Sequence, residues 1–426
     1  MTATENINIF WASLAVEELV RNGVELFCVS PGSRSAPLTV AVARHSQAQT
    51  VICHDERGAA FYALGYAKAT GKPAALIATS GTAGANYFPA VVEASMDHAP
   101  MLLLTADRPP ELQQSGANQT VRQNDLYGDF TRRQFILPCP DEKIAPAYLL
   151  STVDLAVAAA AGADPGPVHL NLMFREPLAP IEQPFHFPQH HSFQKWAGGN
   201  APFTRRHPAA PTIDEQTATA ILPLLTDAQK PLLIVGRCPF GNHRAVAELI
   251  RRLQWPTHID VTHPLRFVRL PAPMIEEFSL GDDPPDVVLH LGAAFISKRL
   301  QQRLEAAPPA VYLHVHPFEE RIDPGLLVTQ RVTAPPERFA AALLPHLSQP
   351  AAFTAKTDAP LDDLLGKKLS EPAIARLISA LLPKDHALFL GNSMPVRDMN
   401  LFAARGAYPR RVGTNRGVSG IDGCVS

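Results

Sequence analysis

The stretch Thr50-Val51-Ile52-Cys53-His54-Asp55-Glu56-Arg57-Gly58 runs an apolar, β-branched segment straight into three charged residues, after which Ala59, Ala60, Phe61, Ala63 and Leu64 recur at helical spacing. That pattern delivers its last side chains to the carboxyl edge of a sheet, where open α/β folds bind ligands. A carboxylate held there can exchange a proton with a bound molecule. It can equally be an ordinary helix start, because free N–H groups and the backbone dipole favour Asp and Glu in a first turn. The neighbouring motifs tip the balance toward chemistry.

Ser30-Pro31-Gly32-Ser33-Arg34-Ser35 falls between a strand and a helix. Gly32 allows a tight turn, the helix start offers N–H groups to an anion, and Arg34 can grip one bidentately. The segment is neither a Walker loop nor a Gly-x-Gly-x-x-Gly dinucleotide turn, and alone it could be a capped turn. Cationic segments recur at Ala106-Asp107-Arg108-Pro109-Pro110, Ser297-Lys298-Arg299, Gly391-Asn392-Ser393-Met394-Pro395-Val396-Arg397-Asp398 and Asn415-Arg416-Gly417. Singly, each Arg reads as a surface charge; several at ligand-binding edges point to a substrate with more than one carboxylate. Ser80 and Ser419 lack the Gly-x-Ser-x-Gly elbow of a nucleophile, and no metal-ligand spacing stands out.

These groups need a scaffold, and the periodicity supplies one. Expected strands at 25–29, 50–53, 74–78, 101–105, 134–137 and 167–172 alternate with helices at 7–22, from 36, 57–70 and near 144–161, which implies a doubly wound parallel sheet over residues 1–180. Residues 181–212, rich in Pro, His and Gln, read as a linker, with His186, His190 and His191 taken as solvated rather than metal-binding. A second α/β unit is expected at 213–345, with strands at 231–235, 286–291 and 311–315. A further linker follows at 346–368, then a third unit at 369–426 with too few elements to close a core.

The 426 residues call for two or three domains, and a net charge of -2 gives no nucleic-acid footprint. Five scattered cysteines imply reduced thiols in a cytoplasmic setting, and no apolar run is long enough to span a membrane.

Taken together, Ser-Pro-Gly-Ser-Arg-Ser (30–35), His-Asp-Glu-Arg (54–57), Ala-Thr-Ser-Gly-Thr-Ala (78–83), Leu-Thr-Ala-Asp-Arg-Pro-Pro-Glu-Leu (104–112), Gly-Ala-Asn-Gln (116–119), Gly-Asn-Ser-Met-Pro-Val-Arg-Asp (391–398) and Asn-Arg-Gly-Val-Ser-Gly-Ile-Asp-Gly (415–423) form an ordered set. It closely resembles the 2-succinyl-5-enolpyruvyl-6-hydroxy-3-cyclohexene-1-carboxylate synthase family, thiamine-diphosphate transferases of menaquinone (or phylloquinone) biosynthesis.

The resemblance implies an architecture of successive doubly wound domains: a pyrimidine-binding unit, a central unit and the N-terminal part of a diphosphate-binding unit. It implies that Glu56 activates the cofactor by hydrogen-bonding a pyrimidine nitrogen, with its pKa raised in a dry interface. Ser393 and Ile421 would join Glu56 in holding thiamine diphosphate, Ile421 as an apolar prop. Ser33, Arg34, Arg108, Gln119, Lys298, Arg299, Ser393, Arg397 and Arg416 would hold the dicarboxylates 2-oxoglutarate and isochorismate. A homodimer or homotetramer, with each site between chains, is implied as well.

Family members continue past Ser-Gly-Ile-Asp-Gly into a Gly-Asp-x-Ser segment that holds Mg2+; nothing here corresponds, so the chain reads as C-terminally truncated and no metal ligand is assigned. Two other readings stay open at this point: a non-catalytic subunit or binding protein, and another thiamine-dependent carboligase.

Overall fold

Short runs of small and β-branched apolar residues make the strands of the first sheet. The computed structural model describes residues 6–186, 191–207, 211–238, 242–275, 284–348, 369–406 and 409–425. The chain divides into two units, one comprising Met1–Pro208 with Asn415–Ser426 and the other Ala209–Thr414.

In the first unit, β1 (Leu26–Val29), β2 (Gln49–Ile52), β3 (Ala74–Ala78), β4 (Met101–Asp107), β5 (Arg133–Leu137) and β6 (Pro167–Met173) pair in parallel in the order β2-β1-β3-β4-β6-β5. Strands β3, β4 and β6 are buried along their whole length, as continuous apolar runs covered on both faces must be. Alternate β1 residues serve opposite cores. Phe27 and Val29 pack with α1 (Ile7–Arg21), α2 (Ala36–Arg44) and α5 (Pro146–Ala160), whereas Leu26 and Cys28 pack with α3 (Glu56–Thr70) and α4 (Phe88–Met96). The winding reverses between β1 and β3, so the loops leaving them diverge and open a crevice at the carboxyl edge.

The stretch expected as a linker at 181–212 carries α6 (His191–Ala197), which packs on the first unit through buried Trp196. The Arg21 guanidinium lies 4.1 Å over the Trp196 ring and donates to its carbonyl at 2.8 Å. Residues 187–190, His190 among them, and 208–210 lie outside the described residues. Residues 415–425 pack back onto α3 and α4: Glu93 accepts the N–H groups of Gly417 and Val418, each at 2.8 Å, while Gly423 abuts the Phe61 ring so closely that a Cβ would lie 2.0 Å from it.

The second unit holds the parallel sheet β11-β10-β9-β7-β8, formed by β7 (Pro231–Val235), β8 (Thr257–Ile259), β9 (Val287–Leu291), β10 (Val311–His316) and β11 (Gln330–Thr333). Helices α7 (Glu215–Thr226), α8 (Arg244–Leu253), α9 (Lys298–Ala306) and α10 (Pro336–Leu343) accompany it. A parallel pair, β12 (Ala387–Phe389) and β13 (Arg411–Gly413), joins the helices Glu371–Leu381 and Met394–Phe402. This part is tied into the unit by a cluster containing Val261, Phe267, Val396 and Met399, and by Arg266 donating to the Asn400 carbonyl at 2.8 Å. Of the second expected linker, 349–368 lie outside the described residues. Among the described residues no helix is long and apolar enough to cross a membrane.

Candidate active site

Helix α3 begins at Glu56, and its cap is taken by the preceding residue. Asp55 is extended and its side chain accepts the Gly58 N–H at 2.8 Å. Glu56, half-buried, makes no hydrogen bond or ion pair among the described residues. The capping explanation of the acidic pair therefore belongs to Asp55, and the Glu56 carboxylate is left to engage something else. On the elements that flank Glu56, the edge strand β2 exposes Ile52 (64%) and α3 exposes Tyr62 (45%).

Across the switch point, the Ser30–Ser35 loop presses against the end of β3: a Cβ on Gly32 would sit 2.2 Å from Thr79 Cβ, so only glycine fits. This contact turns Arg34 inward while Ser33 stays exposed. Arg34 is 7% exposed, donates to the Phe174 carbonyl at 2.9 Å and pairs with the solvent-facing Glu176 at 3.3 Å. Burial first, and then the nearby Arg108 guanidinium, hold its pKa below the ordinary value. Two cations forced together at a crevice form a receptor for an anion.

Arg108 is aimed by a connected set of polar side chains. Its Nη1 donates to Ser80 Oγ at 2.7 Å and its Nη2 to the Asn118 carbonyl at 3.0 Å; Gln119 Nε2 donates to the Ser80 carbonyl at 2.9 Å. Behind it, Asp107 accepts the Arg108 N–H at 2.7 Å and Asn171 Nδ2 at 2.8 Å. Asn171 Oδ1 in turn accepts Gln123 Nε2 at 2.8 Å and Thr105 Oγ at 2.9 Å, and Gln123 Oε1 accepts the Gly81 N–H at 3.1 Å. His169, its pKa pushed down to about 3 by burial, is neutral and donates from Nε2 to Thr105 Oγ at 2.7 Å. Burial raises the Asp107 pKa, opposed by Asn171 and Arg108.

Of this support Thr105 and Asp107 lay within the sequence motifs, though without an assigned role. Gln123, His169 and Asn171 were missed, although two polar residues alternating in the otherwise apolar run Pro167–Met173 were a readable signal.

The first unit thus brings together Arg34, Arg108 and Gln119, with Ser33 on the same loop as Arg34 and Glu56 following the neighbouring strand. Arg416 and Ile421 lie on the segment that packs on this unit, Arg416 half-buried and Ile421 exposed. In the second unit Lys298 and Arg299, both exposed, open α9 behind a Ser297 cap that accepts the Leu300 N–H at 3.1 Å. Ser393 and Arg397 are exposed at the start of the helix Met394–Phe402; Ser393 has φ +72°, a conformation non-glycine residues rarely adopt. Among the described residues no three His, Cys, Asp or Glu side chains gather to hold a metal ion.

Residues 11–126 match the family model "Thiamine pyrophosphate enzyme, N-terminal TPP binding domain", and residues 188–390 match "Middle domain of thiamine pyrophosphate". The fold is similar to that of the Rhodococcus jostii RHA1 thiamine diphosphate-dependent 4-hydroxybenzoylformate decarboxylase (TM-score 0.68, 16% identity, 96% of this chain and 76% of that one). Among curated relatives, the 2-succinyl-5-enolpyruvyl-6-hydroxy-3-cyclohexene-1-carboxylate synthases of Rubrobacter xylanophilus and Chlorobium phaeobacteroides are 43% and 40% identical. Each match covers 99% of this chain and, respectively, 76% and 75% of the relative. The same enzyme of Salinibacter ruber is 42% identical over 99% of this chain and 75% of its own length. With this identity sustained along nearly its whole length, the chain belongs to the 2-succinyl-5-enolpyruvyl-6-hydroxy-3-cyclohexene-1-carboxylate synthase family of thiamine-diphosphate enzymes.

Proposed function

We propose that the chain works in the reaction its relatives are named for: thiamine-diphosphate-dependent decarboxylation of 2-oxoglutarate and addition of the succinyl unit to isochorismate, within menaquinone or phylloquinone biosynthesis. The observation that carries this reading is Glu56, a carboxylate at the first turn of α3 that is not used as the helix cap and has no partner of its own among the described residues. Bound thiamine diphosphate supplies the electron sink that decarboxylation of a 2-oxo acid requires. Glu56 holds and returns a proton at a pyrimidine nitrogen of that cofactor, and Ile421 and Ser393 give it apolar and polar contacts. Arg34 and Arg108 orient substrate carboxylates, with Ser33 and Gln119 as neutral donors. Lys298, Arg299, Ser393, Arg397 and Arg416 complete the set by resemblance.

Magnesium is part of the reading as the counter-ion of the diphosphate; the described residues offer no cluster to which it can be assigned, and no step is drawn through it. A second copy of the chain fits the apolar surface at Ile52 and Tyr62, which supports a homodimer with Glu56 at its interface. Five free cysteines support a reducing, cytoplasmic setting.

The test is turnover of 2-oxoglutarate and isochorismate by the 426-residue chain with thiamine diphosphate and Mg2+, read by chromatography of the product. Glu56→Gln is expected to lower the rate by roughly 10²–10⁴. A Glu56→Gln variant as fast as the parent, or product formed without the cofactor, overturns the reading.

A further inference from the structure

The polar side chains behind Arg108 meet at one residue. In the β4–β6 ladder Asn171 stands in register with Thr105, so it shares a face with Thr105, with Asp107 two residues on and with His169 two residues back. All four are buried, none more than 1% exposed.

The donors and acceptors around Asn171 leave its amide a single orientation. Gln123 Oε1 accepts the Gly81 N–H at 3.1 Å, so Gln123 Nε2 faces Asn171 and donates to it at 2.8 Å. That fixes the oxygen end of Asn171, which takes the Thr105 hydroxyl at 2.9 Å as well. The amide nitrogen is thereby turned to Asp107 Oδ2 at 2.8 Å and to Asn124 Oδ1 at 3.3 Å. A flipped amide would set an oxygen against a carboxylate. One side chain thus ties three segments: through Gln123 the residues after β3, directly the stretch at Asn124, and through Asp107 the end of β4. Arg108 hangs on two of them, with its backbone N–H on Asp107 Oδ1 at 2.7 Å and its Nη1 on Ser80 Oγ at 2.7 Å.

The same amide bears on charge. Burial raises the Asp107 pKa, and the bond from Asn171 leads the groups that oppose it, ahead of the Arg108 N–H and the Arg108 and Arg34 guanidiniums. On the other side of the relay the titratable neighbours are uncharged. His169 has its pKa pushed down to about 3 by burial, and the Tyr127 ring that meets it at 4.9 Å is held protonated by burial.

We propose that Asn171 is a positioning residue of the dicarboxylate receptor: its amide holds Asp107, and through it and Gln123 keeps Arg108 and Ser80 set for the anion. Asn171 itself touches no substrate. The inference rests on the reading that Arg34 and Arg108 receive a substrate carboxylate.

Two variants test it by isothermal titration of the full chain with 2-oxoglutarate, without cofactor. Asn171→Leu keeps the bulk and removes both ends of the amide; Kd should rise at least roughly tenfold at every pH. Asn171→Asp keeps the acceptor end and sets a second carboxyl against Asp107, so one of the two retains a proton toward acid pH. Protonated, that group donates where the amide did; ionised, it repels. Kd of this variant should match the parent at about pH 6 and exceed it roughly tenfold at about pH 9, a crossover that a residue filling space alone does not produce. A second readout needs no substrate. Phenylglyoxal labelling of Arg108, followed by peptide mass spectrometry, should be at least about threefold faster in Asn171→Leu with the circular dichroism spectrum unchanged. Asn171→Asp binding like the parent at both pH values, or Arg108 labelling unchanged in Asn171→Leu, overturns the proposal. A parent chain that does not bind 2-oxoglutarate, while labelling still rises in the variant, removes the dicarboxylate reading and leaves Asn171 as the residue that positions Arg108.

Discussion

Arg108 Nη1 and Ser80 Oγ lie 2.7 Å apart, a bond that ties the residues following β4 and β3 together and fixes a guanidinium at the carboxyl edge of the sheet. A lysine keeps the charge but cannot hold Ser80 Oγ and the Asn118 carbonyl from two nitrogens of one rigid plane. Arg108→Lys is therefore expected to raise KM for the dicarboxylate substrate about tenfold while changing kcat little, measured by steady-state kinetics. Equal losses in kcat and in kcat/KM would assign Arg108 to the transition state instead.

Glu93 is buried against Lys68 at 2.8 Å and accepts two N–H groups from the distant segment at Gly417 and Val418. Burial pushes its carboxyl up, but Lys68 and the two N–H groups outweigh burial and hold it below the ordinary value of 4.5. A lowered folded pKa means its contribution is present above 4.5 and is lost as pH falls through the folded value. Glu93→Ala removes one of the two acids that pair with Lys68 among the described residues, Asp97 being the other, and should cost about 3 kcal/mol in denaturant unfolding. It should also open Arg416 to trypsin.

Glu18 behaves in the opposite sense. It accepts Trp196 Nε1 and, at 2.6 Å, the Phe203 N–H, holding residues 196–203 onto α1, while Asp154 accepts the Thr204 N–H at 2.6 Å. Burial, then the neighbouring Asp154, push the Glu18 pKa up to about 8. A raised folded pKa gives stability fully present below the unfolded value of 4.5 and lost as pH rises through about 8. Tryptophan fluorescence should therefore report undocking of this segment toward alkaline pH. Glu18→Gln should flatten the response, and Trp196→Phe should remove it.

Gly32→Ala should destabilise the first unit by roughly 1–3 kcal/mol, because the added carbon meets the Thr79 Cβ rather than a side-chain end that can swing away. Thermal unfolding measures this, and Thr79→Gly in the same chain should restore most of the loss.

Strands with a strong local signal were legible from sequence. Ala74–Ala78 and Pro231–Val235 occur at the expected bounds, since five consecutive apolar residues between breakers fit a central parallel strand. Thr257–Ile259, Gln330–Thr333 and Arg411–Gly413 were not expected: they are three or four residues long, partly polar, and are strands because a neighbour supplies the ladder. Helix α6 hid inside a polar stretch, its only advance sign being Phe193 and Trp196 three apart. At the site, side-chain types near the strand ends were readable. The polar relay behind Arg108 depends on contacts 39 to 66 residues apart that no local pattern encodes, whereas the cap that Asp55 gives Gly58 is local and leaves open only which of the two acids takes it.

The grip of Glu93 on Gly417, 324 residues along the chain, bears on biogenesis. During translation the amino-terminal sheet leaves the ribosome long before the segment at Gly417 and Val418 that packs on it, with the residues of the second unit made in between. For that interval a buried glutamate oxygen waits for its amide donors and the Phe61 ring for its glycine cover. Ribosome stalling before codon 417 would hold the first unit in that uncovered state, with the Glu93 carboxylate lacking the Gly417 and Val418 N–H groups.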